Sequence, residues 1–132
     1  MTLRVLAGVV TVGLALVACT SAERVDTTTV VREFPNVVEV DVHQEPEGTY
    51  RFDVTISSPY DSPERYADAW RVRGPDGTVY GVRELLHDHA AEQPFTRSLS
   101  GVEIPEDVDT VVVEGRDLQY GWGGETVGVD LP

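Results

Sequence analysis

Hydrophobic and polar residues alternate along much of the chain after residue 36. One alternating stretch runs from Val37 to His43 and a second from Tyr50 to Ser57, separated by a segment with Pro46 and Gly48. A period of two places successive side chains on opposite faces of a β-strand. The two stretches therefore predict a strand, a turn and a second strand that share one apolar face.

Further β-prone segments follow at intervals typical of antiparallel sheets. Gly74-Pro75-Asp76-Gly77 predicts a turn, because proline presets the first bend and glycine accepts a positive φ. Trp70 and Val72, just before this turn, are predicted to point inward. The remaining strands are expected near residues 66–73, 78–86, 95–99, 110–115 and 126–131. About seven or eight short strands without a long helix predict an all-β antiparallel sandwich, immunoglobulin-like or fibronectin-like.

The first residues have the pattern of a secretory signal peptide. Arg4 precedes an apolar run from Val5 to Ala18, interrupted only by Thr11. The run is too short for a transmembrane helix, which needs about 20 residues. Export from the cytoplasm is therefore expected.

The end of this run resembles the lipobox of bacterial lipoproteins. Leu16-Val17-Ala18-Cys19 has a large apolar residue, a tolerated residue, a small residue and the only cysteine of the chain. The resemblance implies cleavage before Cys19 and attachment of lipid to its sulfur. It implies a signal peptide at 1–18 and a lipid-anchored segment after it. A polar, threonine-rich stretch extends this linker over 19–32, and the alternating pattern predicts a β-sandwich domain at 33–132. An ordinary secretory signal with a chance cysteine is the alternative.

The net charge restricts the kinds of partner that the protein can bind. The 132 residues include 23 acidic side chains and 10 basic ones, all arginine, for a net charge of −13. Phosphates of nucleic acid would be repelled by this charge. The partners we expect are the lipid bilayer, reached through acylated Cys19, and an envelope protein, peptide or glycan.

Two histidines form the most site-like cluster. His87 and His89 would project from the same face if the chain between them is extended, and Glu92 could return around the next turn. Two imidazoles and a carboxylate suit zinc or copper(II), with His43 as a further candidate ligand. A metal-binding role is therefore the alternative to a metal-free module, and hydrogen-bonding loop histidines are the structural interpretation of the same residues.

A glycine-rich segment, 117–124, carries two aromatic residues. It is predicted to be a loop between the last two strands, where Tyr120 and Trp122 could stack on a sugar or a peptide. The structural alternative is a hairpin whose tryptophan folds over the core.

No catalytic motif accompanies these features. The sequence has no Gly-x-Ser-x-Gly elbow and no His-Glu-x-x-His pair. Residues 64–130 also resemble a group of small secreted bacterial proteins without an assigned activity, on Trp70, His87-Asp88-His89 and Gly121-Trp122-Gly123-Gly124 among others. The chain is thus predicted to be a membrane-tethered, extracytoplasmic, non-enzymatic binding module, facing the periplasm or the cell exterior.

Overall fold

Residues 31–132 fold as a β-sandwich in the computed structural model, which describes this part of the chain. The predicted signal peptide, Cys19 and most of the predicted linker lie outside the described residues. Within 31–132 there are seven strands and no helix: β1 (Asn36–Gln44), β2 (Tyr50–Ser57), β3 (Ala67–Arg73), β4 (Val79–Glu84), β5 (Phe95–Val102), β6 (Thr110–Asp117) and β7 (Gly121–Asp130). The all-β prediction is confirmed.

The strands form two antiparallel sheets. One sheet has the order β1-β2-β5 and the other β4-β3-β6-β7. Because β4 pairs with β3, the sheet that contains β3 has four strands. The corresponding sheet of constant-type immunoglobulin domains has three strands. This is the fibronectin-like variant of the predicted sandwich. It makes β4 and β5 edge strands that face each other at one side of the molecule.

The core lies between the inner faces of the sheets. Trp70 and Val72 on β3 are both completely buried, so their predicted inward direction is confirmed. Phe52, Val54 and Ile56 on β2 are equally buried, in the alternating pattern read from the sequence. Burial of each such large side chain stabilises the fold by roughly 1.5–3 kcal/mol.

Three connections meet at the end of the sandwich where β1 begins. Because adjacent strands are antiparallel, the segments 58–66, 85–94 and 118–120 lie at this end. We call it the N-terminal end. Two of the connections are joined directly, since the backbone N–H of His89 donates to Asp61 Oδ2 at 3.0 Å.

The glycine-rich segment differs from the prediction. Only residues 118–120 form a turn, and β7 begins at Gly121, so a loop over 117–124 was wrong. Phe34 and Pro35 pack directly on this part of β7, where a Cβ at Gly123 would lie 2.6 Å from the Phe34 ring. A Cβ at Gly124, whose φ is +88°, would overlap the Pro35 carbonyl. These glycines let the entering chain approach the strand closely.

Candidate functional site

The histidine segment covers a small cavity at the side of the sandwich where β4 and β5 face each other. The cavity has a volume of about 150 Å³. Arg83 of β4 and Arg97 of β5 line its two sides, and the connection 85–94 contributes His87 and His89. The cavity therefore combines side chains from both sheets with the segment that joins them.

Strand register explains why both arginines point toward this cavity. Arg83 lies opposite Trp70, and directly opposed residues of neighbouring strands project to the same face. Arg97 is two residues from Phe95, which is 1% exposed, so it also projects to the inner face. In the central strands, the side chains of the inner face form the core. At the facing edge strands β4 and β5, the inner face opens to solvent and can accommodate charged side chains.

The connection that carries the histidines is fixed by buried polar groups. Asp61 is 7% exposed and accepts hydrogen bonds from the backbone N–H groups of Ala67 and His89, both at 3.0 Å. The Gln93 amide accepts from the Ser58 N–H at 2.8 Å and donates to the His89 carbonyl at 3.2 Å. These contacts set the backbone position of His89 independently of any ligand.

The two histidines differ in environment. Their ring centroids are 4.8 Å apart, so the predicted proximity of His87 and His89 is present in the structure. His89 is 5% exposed and stacks on Phe95 with centroids 3.8 Å apart. His87 is exposed, and its Nδ1 lies 2.8 Å from the Asp88 carbonyl oxygen. The Nδ1 atom of His89 is buried and has no hydrogen-bond partner within the described residues.

Burial and charge both favour a neutral His89. Desolvation is the main cause that lowers its pKa, and the positive charges of Arg97 and His87 lower the pKa further. Asp61 and Glu92 oppose this change with smaller effects. Taken together, the surroundings of His89 disfavour the protonated, positively charged form of its ring.

Glu92, the predicted third metal ligand, has a different partner. Its carboxylate pairs with Arg97 Nη2 at 3.0 Å, and this hydrogen bond is the main cause that lowers the pKa of Glu92. His43 lies on β1, with Nε2 3.6 Å from Asp53 Oδ2. Within residues 31–132, no group of three or more His, Cys, Asp or Glu side chains is placed to hold a metal ion. The structure brings the two histidines together but does not add Glu92 or His43 to them.

The two aromatic candidates lie on different surfaces. Tyr120 is 45% exposed in the turn before β7, with Arg32 and Arg65 over its ring at 4.2 and 4.8 Å from the centroid. Trp122 lies on the outer face of the four-stranded sheet, partly exposed. Arg71 and Arg116 lie 4.0 and 5.3 Å from its centroid. Both rings are therefore already engaged in cation–π contacts, each with two arginines.

Sequence reasoning missed two residues of the cavity region. The sequence predicts a role for neither Asp61 nor Arg83. Asp61 acts across 28 positions on His89, which no local pattern reveals. The inward position of Arg83 follows from its register with Trp70, so the local sequence carries no signal for it.

One similar protein bears on the predicted anchor. A protein of Halomicrobium mukohataei named "Putative lipoprotein" is 37% identical over 113 residues. The match covers 86% of this chain but 55% of that protein, so the chain spans about half the length of its relative. No known protein family and no solved structure matches the chain. Residues 31–132 contain no helix that is long and apolar enough to cross a membrane.

Proposed function

We propose that this chain is a lipid-anchored interaction module, held at the extracytoplasmic side of a membrane through Cys19. The observation that carries the proposal is the sequence Leu16-Val17-Ala18-Cys19 directly after the apolar run. The similar protein named as a lipoprotein supports the same assignment, since the match extends over most of this chain.

The proposed anchor would keep the folded domain close to the bilayer. Eleven residues, 20–30, separate Cys19 from Val31, the first described residue. A fully extended chain of that length reaches about 40 Å. Two or more acyl chains on the processed cysteine would hold the protein stably without a membrane-spanning segment. The module would therefore meet partners near the membrane surface, such as an envelope protein, a peptide or a glycan.

We also propose that the module has no catalytic activity of its own. The most site-like acidic residues have structural partners, because Asp61 holds two backbone amides and Glu92 pairs with Arg97. The cavity beside His87 and His89, about 150 Å³, is smaller than the 300–1,000 Å³ typical of substrate pockets, whereas open grooves of about 590 and 350 Å³ lie elsewhere on the domain. Binding of a small group fits this site better than turnover of a substrate.

Processing and membrane attachment of the full precursor test this function. We expect the mature protein to begin at Cys19, to carry a lipid mass on that residue by mass spectrometry, and to enter the detergent-rich phase of Triton X-114. Cys19→Ser should remain uncut or become soluble, whereas Thr20→Ser should behave like the wild type. A Cys19→Ser protein that is still cut before residue 19 and still enters the detergent-rich phase would contradict the anchor.

A further inference from the structure

Arg83 is the unusual residue of the cavity between β4 and β5. Of the eight arginines in residues 31–132, six form ion pairs with carboxylates within 4.0 Å: Arg51, Arg65, Arg71, Arg73, Arg97 and Arg116. Arg32 is exposed and stacks on Tyr120. Arg83 is partly buried and has no ion pair with any described residue. Acidic side chains are abundant in this protein, so the lack of a partner is a specific feature of this position.

Two buried nitrogen atoms without a hydrogen-bond partner belong to residues that line the same cavity. The Nε atom of Arg83 and the Nδ1 atom of His89 are both buried and unpaired among the described residues. A buried polar group without a partner destabilises the folded state, and more so when it is charged. An oxygen-bearing ligand that reached both atoms would relieve both costs, with the proton of His89 on Nδ1.

The lining of the cavity favours an anion. Arg83 and Arg97 supply guanidinium groups from opposite sides, and His87 adds a ring close to that of His89. Glu84 also borders the cavity, but it is exposed. It lies opposite Ala69, at a position of β4 that projects to the outer face of the sheet. Glu84 acts electrostatically on Arg116 of the outer face. Glu92, in the connection that carries the histidines, is engaged by Arg97 at 3.0 Å.

We propose that this cavity binds a small carboxylate, with Arg83 as its principal ligand and His89 as a second hydrogen-bond donor. A guanidinium group presents parallel N–H donors that match the two oxygens of a carboxylate, and such charge-assisted pairs are among the strongest hydrogen bonds in proteins. Leu85, which is 5% exposed, and Leu86 line the same cavity and suit a small apolar substituent on the ligand.

The size of the cavity restricts the ligand. A volume of about 150 Å³ holds roughly five water molecules at about 30 Å³ each. Acetate fits this space, as does the carboxylate end of a peptide with one small side chain. The proposal therefore includes two sources of the same chemistry, a free small carboxylate and a peptide C-terminus.

The proposed carboxylate binding does not depend on membrane anchoring. It rests on residues 83–97 and their contacts, and it would hold if Cys19 carried no lipid. Conversely, a lipid-anchored module without carboxylate binding would leave the proposed function intact. The two proposals can therefore fail separately.

NMR titration of the purified full chain in a nonionic detergent tests the site. Sodium acetate, inorganic phosphate, N-acetyl-alanine and the neutral N-acetyl-alaninamide are added separately at constant chloride and ionic strength, with the Arg83 Nε–H and His89 ring resonances as readouts. We expect a saturable shift of both resonances with acetate or N-acetyl-alanine, at millimolar or lower concentration, and none with the amide. Saturation with acetate alone would identify a free small carboxylate, and saturation with N-acetyl-alanine at lower concentration would identify a peptide C-terminus.

Matched variants assign the binding to Arg83. Arg83→Gln should weaken binding at least tenfold, whereas Arg51→Gln, which removes the same charge from an exposed position of β2, should leave it unchanged. The absence of a saturable shift up to 50 mM carboxylate in the wild type would overturn the proposal, as would a response to inorganic phosphate alone. The wild-type titration reports directly on Arg83, so the result does not depend on the folding of Arg83→Gln.

Discussion

The backbone N–H of His89 donates a hydrogen bond of 3.0 Å to the carboxylate of Asp61, 28 positions earlier in the chain. This bond joins the connection 58–66 to the connection 85–94. The other oxygen of Asp61 accepts from the Ala67 N–H at the start of β3. Asp61 is 7% exposed, so both bonds are shielded from water. One buried carboxylate thereby fixes the segment that covers the cavity to the strand that carries Trp70.

Replacement of Asp61 should destabilise the domain. Asp61→Ala leaves two buried N–H donors without acceptors, and we expect a loss of about 2–4 kcal/mol in the free energy of unfolding. Asp61→Asn retains one acceptor and should lose less. Urea denaturation of the full chain followed by tryptophan fluorescence measures both. Glu106→Ala, at an exposed acidic position, should lie within about 0.5 kcal/mol of the wild type, and an equal loss in both alanine variants would contradict the role given to Asp61.

The two tryptophans should differ sharply in their contribution to stability. Trp70 is completely buried in the core, so Trp70→Ala should cost about 3–5 kcal/mol. Trp122→Ala removes a partly exposed ring from the outer sheet face and should cost clearly less, because its main contacts are with Arg71 and Arg116. Acrylamide should also quench the Trp122 emission more than that of Trp70. An unchanged unfolding midpoint in Trp70→Ala would show that the inner face of β3 is misassigned.

Two glycines of β7 should respond to alanine with opposite signs. Gly124→Ala combines a positive φ with overlap of the Pro35 carbonyl, and we expect a loss of about 2–4 kcal/mol. Gly128 has no heavy atom within 4 Å of an added Cβ and no positive φ. Gly128→Ala should be neutral or stabilise the strand by about 0.5–1 kcal/mol, because it restricts the unfolded chain. Thermal unfolding followed by circular dichroism compares the two, and a harmless Gly124→Ala would exclude the close approach of residues 34–36 to β7.

Local patterns in the sequence predict the strands but not the cavity. Trp70, Val72 and the alternating residues of β2 could be placed because period-two burial depends on neighbouring positions alone. Gly123 and Gly124 suggested a loop, because glycine is common in turns; the contact with Phe34 and Pro35 that requires them is separated by almost 90 positions. Arg83 could be recognised as inward-facing only from its register with Trp70.

The candidate site, too, could be predicted only in part from the sequence. The sequence indicated that His87 and His89 lie close together, because two residues of an extended segment share a face. It could not indicate that Arg97 engages Glu92 or that Phe95 stacks on His89, since both follow from how the connection folds back on β5. Metal binding by His87 and His89 stays a prediction, and the neighbours that the fold adds to this motif are Arg97 and Phe95.

Salt should stabilise this protein. A net charge of −13 on 132 residues produces repulsion in the folded state, and an increase from 0.1 to 1 M NaCl shortens the screening length from about 10 to about 3 Å. We expect the urea midpoint to rise over this range. The double variant Glu106→Gln/Asp107→Asn, which removes two exposed charges, should raise the midpoint at 0.1 M salt and weaken its salt dependence. A midpoint that falls with salt would mean that ion pairs such as Arg116–Asp68 outweigh the repulsion.

Mild acid should destabilise the domain through His89. Burial, followed by the charges of Arg97 and His87, lowers the pKa of His89 below that of an unfolded histidine, which is about 6.5. Between these two pKa values the unfolded chain binds a proton that the folded chain excludes, so the free energy of unfolding falls as the pH decreases from about 7.5 to 5.5. His89→Gln should show a smaller decrease over this interval. A bound carboxylate would favour the protonated ring, so 50 mM acetate should reduce the decrease in the wild type and leave His89→Gln unaffected. An identical pH dependence in wild type and His89→Gln would show that the burial of this imidazole has no energetic consequence.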